Sequence, residues 1–211
     1  CLAQAHVQIQ DIDLFINVGV FRDDNIIEPA MAPLIQQRLG MNLDPVNNDH
    51  IQRSTLSFDI NDGECGFLTA ARVVDAFFRS GSSKLALIVS GDIHPSKTHH
   101  PDFPFQSVSA AILLSYSEDD HQGFSSFHCK TASNGCHGFS ANVDLMANGL
   151  KGRECMKFVE DDKYYDVLCS LTSELISEVF QSGAINPAAI DYLLTSQQAK
   201  GFSAEITRSL S

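Results

Sequence analysis

FDINDGECGFLTAARVVDAFFRSGSSKLALIVSGD, residues 58–92, contains the pattern that decides the fold class. Four of its apolar side chains fall on one helical face: Phe67, Ala71, Val74 and Phe78. Charged residues occupy the opposite face, so the spacing predicts an amphipathic helix over Cys65–Ser80 that Gly81 ends. The run KLALIVS at Lys84–Ser90 has the length and apolar character of a buried strand. The stretch therefore predicts a helix followed by a strand.

The segments before and after this stretch extend the same alternation. Ile12–Phe21 is a nearly continuous apolar run and predicts a central strand, and Ser54–Ile60 predicts a second one. Between them, Glu28-Pro29 predicts a helix start and Gly40 a helix end. A further strand is predicted at Ala110–Tyr116. The order β-α-β-α-β indicates an α/β protein with a mostly parallel sheet.

The last third of the chain has a less regular pattern. Glu118–Gly152 is rich in Ser, Asn, Gly and His, which predicts one or two strands and a long connection. Leucines at helical spacing after residue 160 predict a helix that Gly183 ends, and Ile190–Thr195 predicts another strand. QIQDIDLFINV near residue 10 and INPAAIDYLLTS near residue 190 share one layout. Two related halves and chance similarity both explain it.

Composition excludes several classes of protein. A formal charge of −12 argues against nucleic-acid binding, since no net field attracts a polyanion. Six scattered cysteines do not form a disulfide framework, and no apolar run is long enough to cross a membrane. These observations predict a soluble, cytoplasmic protein. The chain starts with Cys1 and ends within a helical pattern, so we expect it to be part of a longer protein.

Residues 58–92, with the Phe-Asp pair at the strand end and a cysteine at the helix start, resemble the 3-oxoacyl-[acyl-carrier-protein] synthase III (ketosynthase III) branch of the thiolase superfamily. Four further segments are similar to that family in the same order: Ile12–Gly40, Ala110–Leu114, Asn148–Phe158 and Ile190–Lys200. The resemblance implies a thiolase-like α/β fold, with two related halves and mixed, mostly parallel sheets in αβαβα layers. It implies an N-terminal half at 1–131, a connecting segment at 132–158 and the beginning of a C-terminal half at 159–211.

The resemblance also implies a nucleophile. Family members carry a catalytic cysteine at the start of the buried helix, where the helix dipole favours the thiolate that accepts an acyl group. Aligned without gaps, this position falls on Glu64, and Cys65 follows one residue later. We expect Cys65 to be the nucleophile; an inert core cysteine is the alternative. Glu64 is expected either to act as a base or to stabilise the helix start.

Three further site residues follow from the resemblance. Gln197 stands where the family has the histidine that binds the thioester oxygen, and Lys200, which is expected to bind substrate, stands where that motif ends in asparagine. Gln197 can donate a hydrogen bond but cannot transfer a proton as histidine does. Glu28 is expected to reach a partner's acyl site or, alternatively, to cap a helix. Phe105–Ser109 replaces a glycine-rich stretch of the family.

Other motifs indicate no second chemistry. His94, His99 and His100 in one loop, and Cys129, Cys136 and His137 in another, lack the spacing of metal ligands. No P-loop, dinucleotide-binding or serine-hydrolase motif is present in the sequence. We therefore expect no metal and no cofactor, with coenzyme A or phosphopantetheine thioesters entering as substrates.

Two functions remain open at this point. The first is an acyltransferase or condensing enzyme that uses acyl-CoA or acyl carrier protein in fatty acid, polyketide or related metabolism. The second is an inactive ketosynthase-like subunit that dimerises with an active partner. Carboxylate chemistry through Glu64 without an acyl-enzyme is a third possibility. In each case the resemblance implies a homodimer or a heterodimer with a related ketosynthase.

Overall fold

The computed structural model describes residues 1–22, 28–42, 53–94, 106–119, 121–132, 138–143, 146, 156–197 and 199–210. It contains two compact units. The first unit comprises Cys1–Ser125 and Val143–Met156, and the second comprises Ser126–Asn142 and Lys157–Ser211. Much of the predicted connecting segment at 132–158 lies outside the described residues.

The first unit contains a four-stranded sheet in the order β2-β1-β3-β4. Its strands are β1 (Leu14–Asn17), β2 (Leu56–Asp59), β3 (Leu85–Asp92) and β4 (Val108–Ser115). β1 pairs in parallel with β2 and β3, and β4 runs antiparallel to β3. The predicted mixed, mostly parallel sheet is confirmed. β1 is central and buried at all four positions, as its apolar run predicts.

Helices cover the two faces of this sheet. A short helix α1 (Leu2–Ala5) precedes β1, α2 (Met31–Leu39) follows it, and α3 (Gly66–Arg79) follows β2. Leu14 and Ile16 of β1 belong to a core cluster with Ala70 and Val74 of α3. Phe15 belongs to a second cluster that includes Ala32 of α2. Each fully buried side chain of this kind contributes roughly 1.5–3 kcal/mol, so β1 anchors both layers.

The start of α2 differs from the prediction. The helix begins at Met31 after the N-cap residue Ala30, whose side chain makes no capping hydrogen bond. Instead the carboxylate of Asp59 accepts hydrogen bonds from the backbone N–H groups of Met31 and Ala32, both at 2.7 Å. The interpretation of Glu28 as the cap is therefore wrong, because a residue at the end of β2 performs that function. Gly40 ends α2 as predicted, with a φ of 69°.

The second unit contains all but the terminal residues Val143 and Met156 of a two-stranded sheet of β5 (Phe139–Val143) and β6 (Met156–Glu160). It also contains α4 (Tyr164–Gln181) and α5 (Phe202–Ser209). α4 is the helix that the spaced leucines predict, and Gly183 follows it with a φ of 73°. None of the described helices in either unit has the length and apolar character that crossing a bilayer requires.

The prediction of a strand at Ile190–Thr195 is wrong for this structure. A 3₁₀ turn at Pro187–Ala189, capped by the Asn186 side chain, precedes a segment without regular structure. Tyr192 is 86% exposed and Leu194 is 92% exposed. An apolar run forms a strand only where a neighbouring strand accepts its backbone hydrogen bonds. No described residue pairs with this segment in a sheet.

Candidate functional site

Cys65 lies at the N-cap position of α3, a helix of 14 residues. A 3₁₀ turn, Gly63–Cys65, connects it to the carboxyl end of β2, and the Cys65 N–H donates to the Asp62 carbonyl at 3.0 Å. Cys65 is exposed. In open α/β sheets the crevice at the carboxyl ends of the strands is the usual ligand site. The structure therefore places this thiol at an accessible helix N-terminus, which favours thiolate.

Glu64 is the residue immediately before Cys65, in the same 3₁₀ turn, and it is exposed. Its carboxylate is therefore within the first turn of the element that leads into α3, where a negative charge is stabilised by the helix dipole. Glu64 and Cys65 are thus neighbours on one turn. Their catalytic roles stay predictions.

Two glycines allow the turn to pack closely. Gly63 has a φ of 50°, in the left-handed region that glycine adopts without strain. Gly66 has an ordinary helical conformation, but a β-carbon there would lie 3.2 Å from Cβ of Val18. Because that approach is tighter than ordinary van der Waals contact, a side chain at this position would require Val18 to shift by a few tenths of an ångström.

The residues after β1 are fixed by the end of β3. A β-carbon on Gly19 would lie 2.5 Å from the carbonyl oxygen of Gly91. The Asp92 carboxylate accepts hydrogen bonds from the N–H groups of Val20 and Phe21, at 2.8 and 2.7 Å. The carboxyl ends of β1 and β3 are therefore held together beside the start of α3.

Sequence reasoning missed a buried polar cluster at this edge. Arg22 and Asp59 form an ion pair at 2.8 Å, with side chains 6% and 9% exposed. The amide of Asn17 donates to the other oxygen of Asp59 at 3.2 Å, and Arg22 also donates to the Asn61 side chain at 3.3 Å. The Phe-Asp pair at the end of β2 marked Asp59, but no local pattern links it to an arginine that lies 37 positions earlier.

Glu28 is exposed and precedes α2 in the first unit. Gln197 and Lys200 are exposed and belong to the second unit, before the N-cap residue Gly201 of α5. Glu64, Cys65 and Glu28 thus share one unit and Gln197 and Lys200 the other. Gln198 lies outside the described residues.

Only some of the loop histidines and cysteines, and only some of the basic residues, lie within the described ranges. His99, His100, Cys136, His137, Lys151 and Arg153 lie outside the described residues. Within the described ranges, no group of three or more His, Cys, Asp or Glu residues could hold a metal ion. Arg208 pairs with Glu205 at 2.6 Å, and hydrogen bonding to that carboxylate raises the pKa of the guanidinium. Arg208 therefore carries an internal partner on α5.

Two charged side chains of the second unit have pKa values that are shifted in opposite directions. Hydrogen bonds from Lys130 to Glu178 and to Glu174 raise the pKa of the Lys130 ammonium. The hydrogen bond with Lys130 lowers the pKa of the Glu174 carboxyl. The Lys130 side chain is 25% exposed and the two glutamates are more than half exposed. Solvent therefore screens this cluster.

Comparison with known proteins supports the resemblance. No protein-family model matches the chain. It is 24% identical over 209 residues to the beta-ketoacyl-[acyl-carrier-protein] synthase III of Pasteurella multocida, covering 93% of this chain and 58% of that protein. The chain thus spans somewhat more than half the length of the curated relatives it matches. The resemblance to ketosynthase III predicted from residues 58–92 is confirmed.

Solved structures agree on the fold. Xanthomonas campestris OleA, determined with bound lauric acid and lauroyl-CoA, matches with a TM-score of 0.66 and 18% identity, covering 99% of this chain and 61% of that one. The 3-oxoacyl-(acyl carrier protein) synthase III of Pseudomonas aeruginosa matches with a TM-score of 0.65 at the same identity and coverage. The predicted thiolase-like α/β fold class is confirmed.

Proposed function

We propose that the protein containing this chain transfers acyl groups from thioesters, as a condensing enzyme similar to ketosynthase III. The observation that carries this proposal is the position of Cys65, exposed at the N-cap of α3 and at the carboxyl edge of the sheet. A thiolate at such a position attacks a thioester carbonyl. The similarity to the synthase of Pasteurella multocida supports acyl thioesters as the substrate class.

The proposed first step conserves atoms and charge. The sulfur of Cys65 forms a bond to the thioester carbonyl carbon, and the bond from that carbon to the sulfur of coenzyme A or phosphopantetheine breaks. The proton that leaves Cys65 ends on the departing thiol.

Gln197 is proposed to donate a hydrogen bond to the oxyanion, and Lys200 to bind substrate. Glu28 is proposed to contact the acyl site of a partner subunit. Transfer of the acyl group to a carbanion would complete condensation, in fatty acid, polyketide or related metabolism.

An inactive ketosynthase-like subunit is the second candidate. It is favoured by the segment Gln197–Lys200, which offers neither the histidine nor the asparagine of the family motif. Glutamine can polarise a carbonyl but cannot exchange a proton at neutral pH. This subunit would dimerise with an active homologue rather than react itself.

We propose that the assembly, active or not, is a cytoplasmic dimer built on β4. This strand lies at the edge of the four-stranded sheet, and its first five residues, Val108–Ile112, are exposed. Val108 is 67% exposed and Ile112 is 40% exposed. An exposed apolar edge strand readily pairs with a strand of another subunit. A second copy of β4 would continue the sheet.

The proposed function is tested by incubating the full-length protein with acyl-CoA of several chain lengths and measuring its intact mass. An added acyl mass that disappears in Cys65→Ala supports the enzyme. Cys129→Ala is the matched control because Cys129 is also exposed but lies in the second unit; it should leave the adduct unchanged. No adduct at any chain length, with co-purification of an active ketosynthase, supports the inactive subunit.

The third possibility needs one further variant. Carboxylate chemistry through Glu64 predicts loss of thioester turnover in Glu64→Gln and retention in Cys65→Ala. The acyl-enzyme proposal predicts that Cys65→Ala loses more thioester turnover than Glu64→Gln does, because only the sulfur forms a bond to the substrate.

A further inference from the structure

The ion pair of Arg22 and Asp59 is more than a stabilising contact. Its two side chains are 6% and 9% exposed. A buried ion pair is weak evidence for stability, because apolar side chains of similar volume often stabilise a fold as well. Nor does capping α2 require a charge, since a neutral serine or asparagine oxygen accepts hydrogen bonds from a helix N-terminus. The carboxylate of Asp59 also holds the Arg22 guanidinium at the carboxyl end of β2.

That guanidinium reaches the turn that carries the thiol. Arg22 Nη2 donates to Oδ2 of Asp59 at 2.8 Å and to Oδ1 of Asn61 at 3.3 Å. Asn61 lies two residues before the 3₁₀ turn Gly63–Cys65, and the next residue, Asp62, is the N-cap of that turn and accepts the Cys65 N–H through its carbonyl at 3.0 Å. Two hydrogen bonds, joined by the covalent chain from Asn61 to Asp62, thus connect the buried ion pair to the backbone of Cys65.

Two further contacts beside this turn involve α3 and the residue after β1. The Thr69 hydroxyl of α3 donates to the Asp62 carboxylate. Gly66 packs against Val18. Two hydrogen bonds join the residues before the turn to the buried cluster between β1, β2 and α2: that of Arg22 to the Asn61 side chain, and that of the Ile60 N–H to the Asn17 carbonyl at 2.9 Å. Since the effect of a helix dipole falls off within the first turn, a small displacement of this turn changes how strongly the thiolate is stabilised.

We propose that Arg22 and Asp59 are positioning residues that act through Asn61 to hold the segment Asn61–Cys65, which contains the 3₁₀ turn, and with it the Cys65 sulfur, at the N-terminus of α3. This inference deepens the proposed function and rests on it for its catalytic meaning. The position of the Cys65 sulfur does not depend on a substrate, so its reactivity is measured without any acyl thioester.

The test is the rate at which iodoacetamide alkylates Cys65 in the full-length protein between pH 6 and pH 10, followed by peptide mass spectrometry. Arg22→Met should move the midpoint of the pH profile upward and slow alkylation at pH 7 by about five- to tenfold. Because Arg22→Met leaves the Asp59 carboxylate buried without its partner, Asn61→Ala is the second variant. Asn61 is exposed, so its loss uncovers no buried charge, and its profile should move in the same direction.

Arg53→Met is the control. Arg53 pairs with Asp13 at 2.9 Å in the same unit. Asp13, however, precedes β1 and lies at the amino end of that strand, whereas Cys65 lies at the carboxyl end of the sheet. This variant should keep the parental profile. The double variant Arg22→Met with Asn61→Ala should react no more slowly than Arg22→Met alone, because both act through one contact.

The outcomes separate the two proposals. A shifted profile in Asn61→Ala, with Arg53→Met unchanged, supports positioning even if acyl-CoA leaves no adduct on Cys65, in which case the proposed function alone fails. A parental profile in a folded Asn61→Ala protein overturns the positioning role, whether or not the adduct forms. An equal shift in Arg53→Met also overturns it, because the effect would then follow from general destabilisation.

Discussion

Replacing Asp59 with asparagine should destabilise the first unit far more than breaking an exposed ion pair does. The substitution keeps the shape and one acceptor oxygen, so the N–H groups of Met31 and Ala32 lose only part of their cap. It leaves the Arg22 guanidinium, 6% exposed, without a counter-ion. Removing one partner of a buried pair typically costs about 3–5 kcal/mol. The matched substitution Arg53→Met breaks a pair whose arginine is 53% exposed, and such pairs contribute about 0.2–1 kcal/mol.

Urea unfolding followed by circular dichroism measures the difference. With a slope of about 2 kcal/mol per molar urea, Asp59→Asn should lower the midpoint by about 1.5–2.5 M and Arg53→Met by at most about 0.5 M. The double variant Asp59→Asn with Arg22→Met should recover much of the loss, since no buried guanidinium is then left without a counter-ion and the asparagine oxygen still accepts a hydrogen bond from the start of α2. A midpoint for Asp59→Asn within error of the Arg53→Met value would show that the pair is not desolvated, and the reasoning would fail.

Three other predictions concern the sheet and the second unit. Gly19→Ala should lower the free energy of unfolding by about 1–3 kcal/mol, because its β-carbon would overlap the Gly91 carbonyl. Gly91→Ala, whose β-carbon would have its nearest contact at 3.8 Å, should lower it by less in the same urea experiment. Ile112→Lys on β4 should convert the proposed dimer to monomer in light scattering; an unchanged mass would exclude β4 as the interface. The Lys130–Glu174 pair should stabilise the second unit only between the two titrations, fading as pH rises through the raised pKa of Lys130 or falls through the lowered pKa of Glu174. A pH–stability curve that Lys130→Met leaves unaltered would contradict this.

Most elements of the first unit could be predicted because their signals are local. The helix over Gly66–Arg79 follows from apolar residues at helical spacing, and β1 and β3 follow from uninterrupted apolar runs. The position of Cys65 at a helix start needed only the residues around it. The start of α2 was misplaced because its cap, Asp59, comes from another strand, and capping patterns in sequence detect only neighbours.

The amino-acid sequence by itself determined the alternation of strands and helices and the position of the thiol at the end of a turn, because periodicity and glycine placement act over a few residues. Tertiary structure alone decided the strand order β2-β1-β3-β4 and the pairing of Arg22 with Asp59. It also left Ile190–Thr195 outside any sheet of the described chain. Each of these depends on a partner distant in sequence, since a strand needs a neighbouring backbone and a buried charge needs a counter-ion.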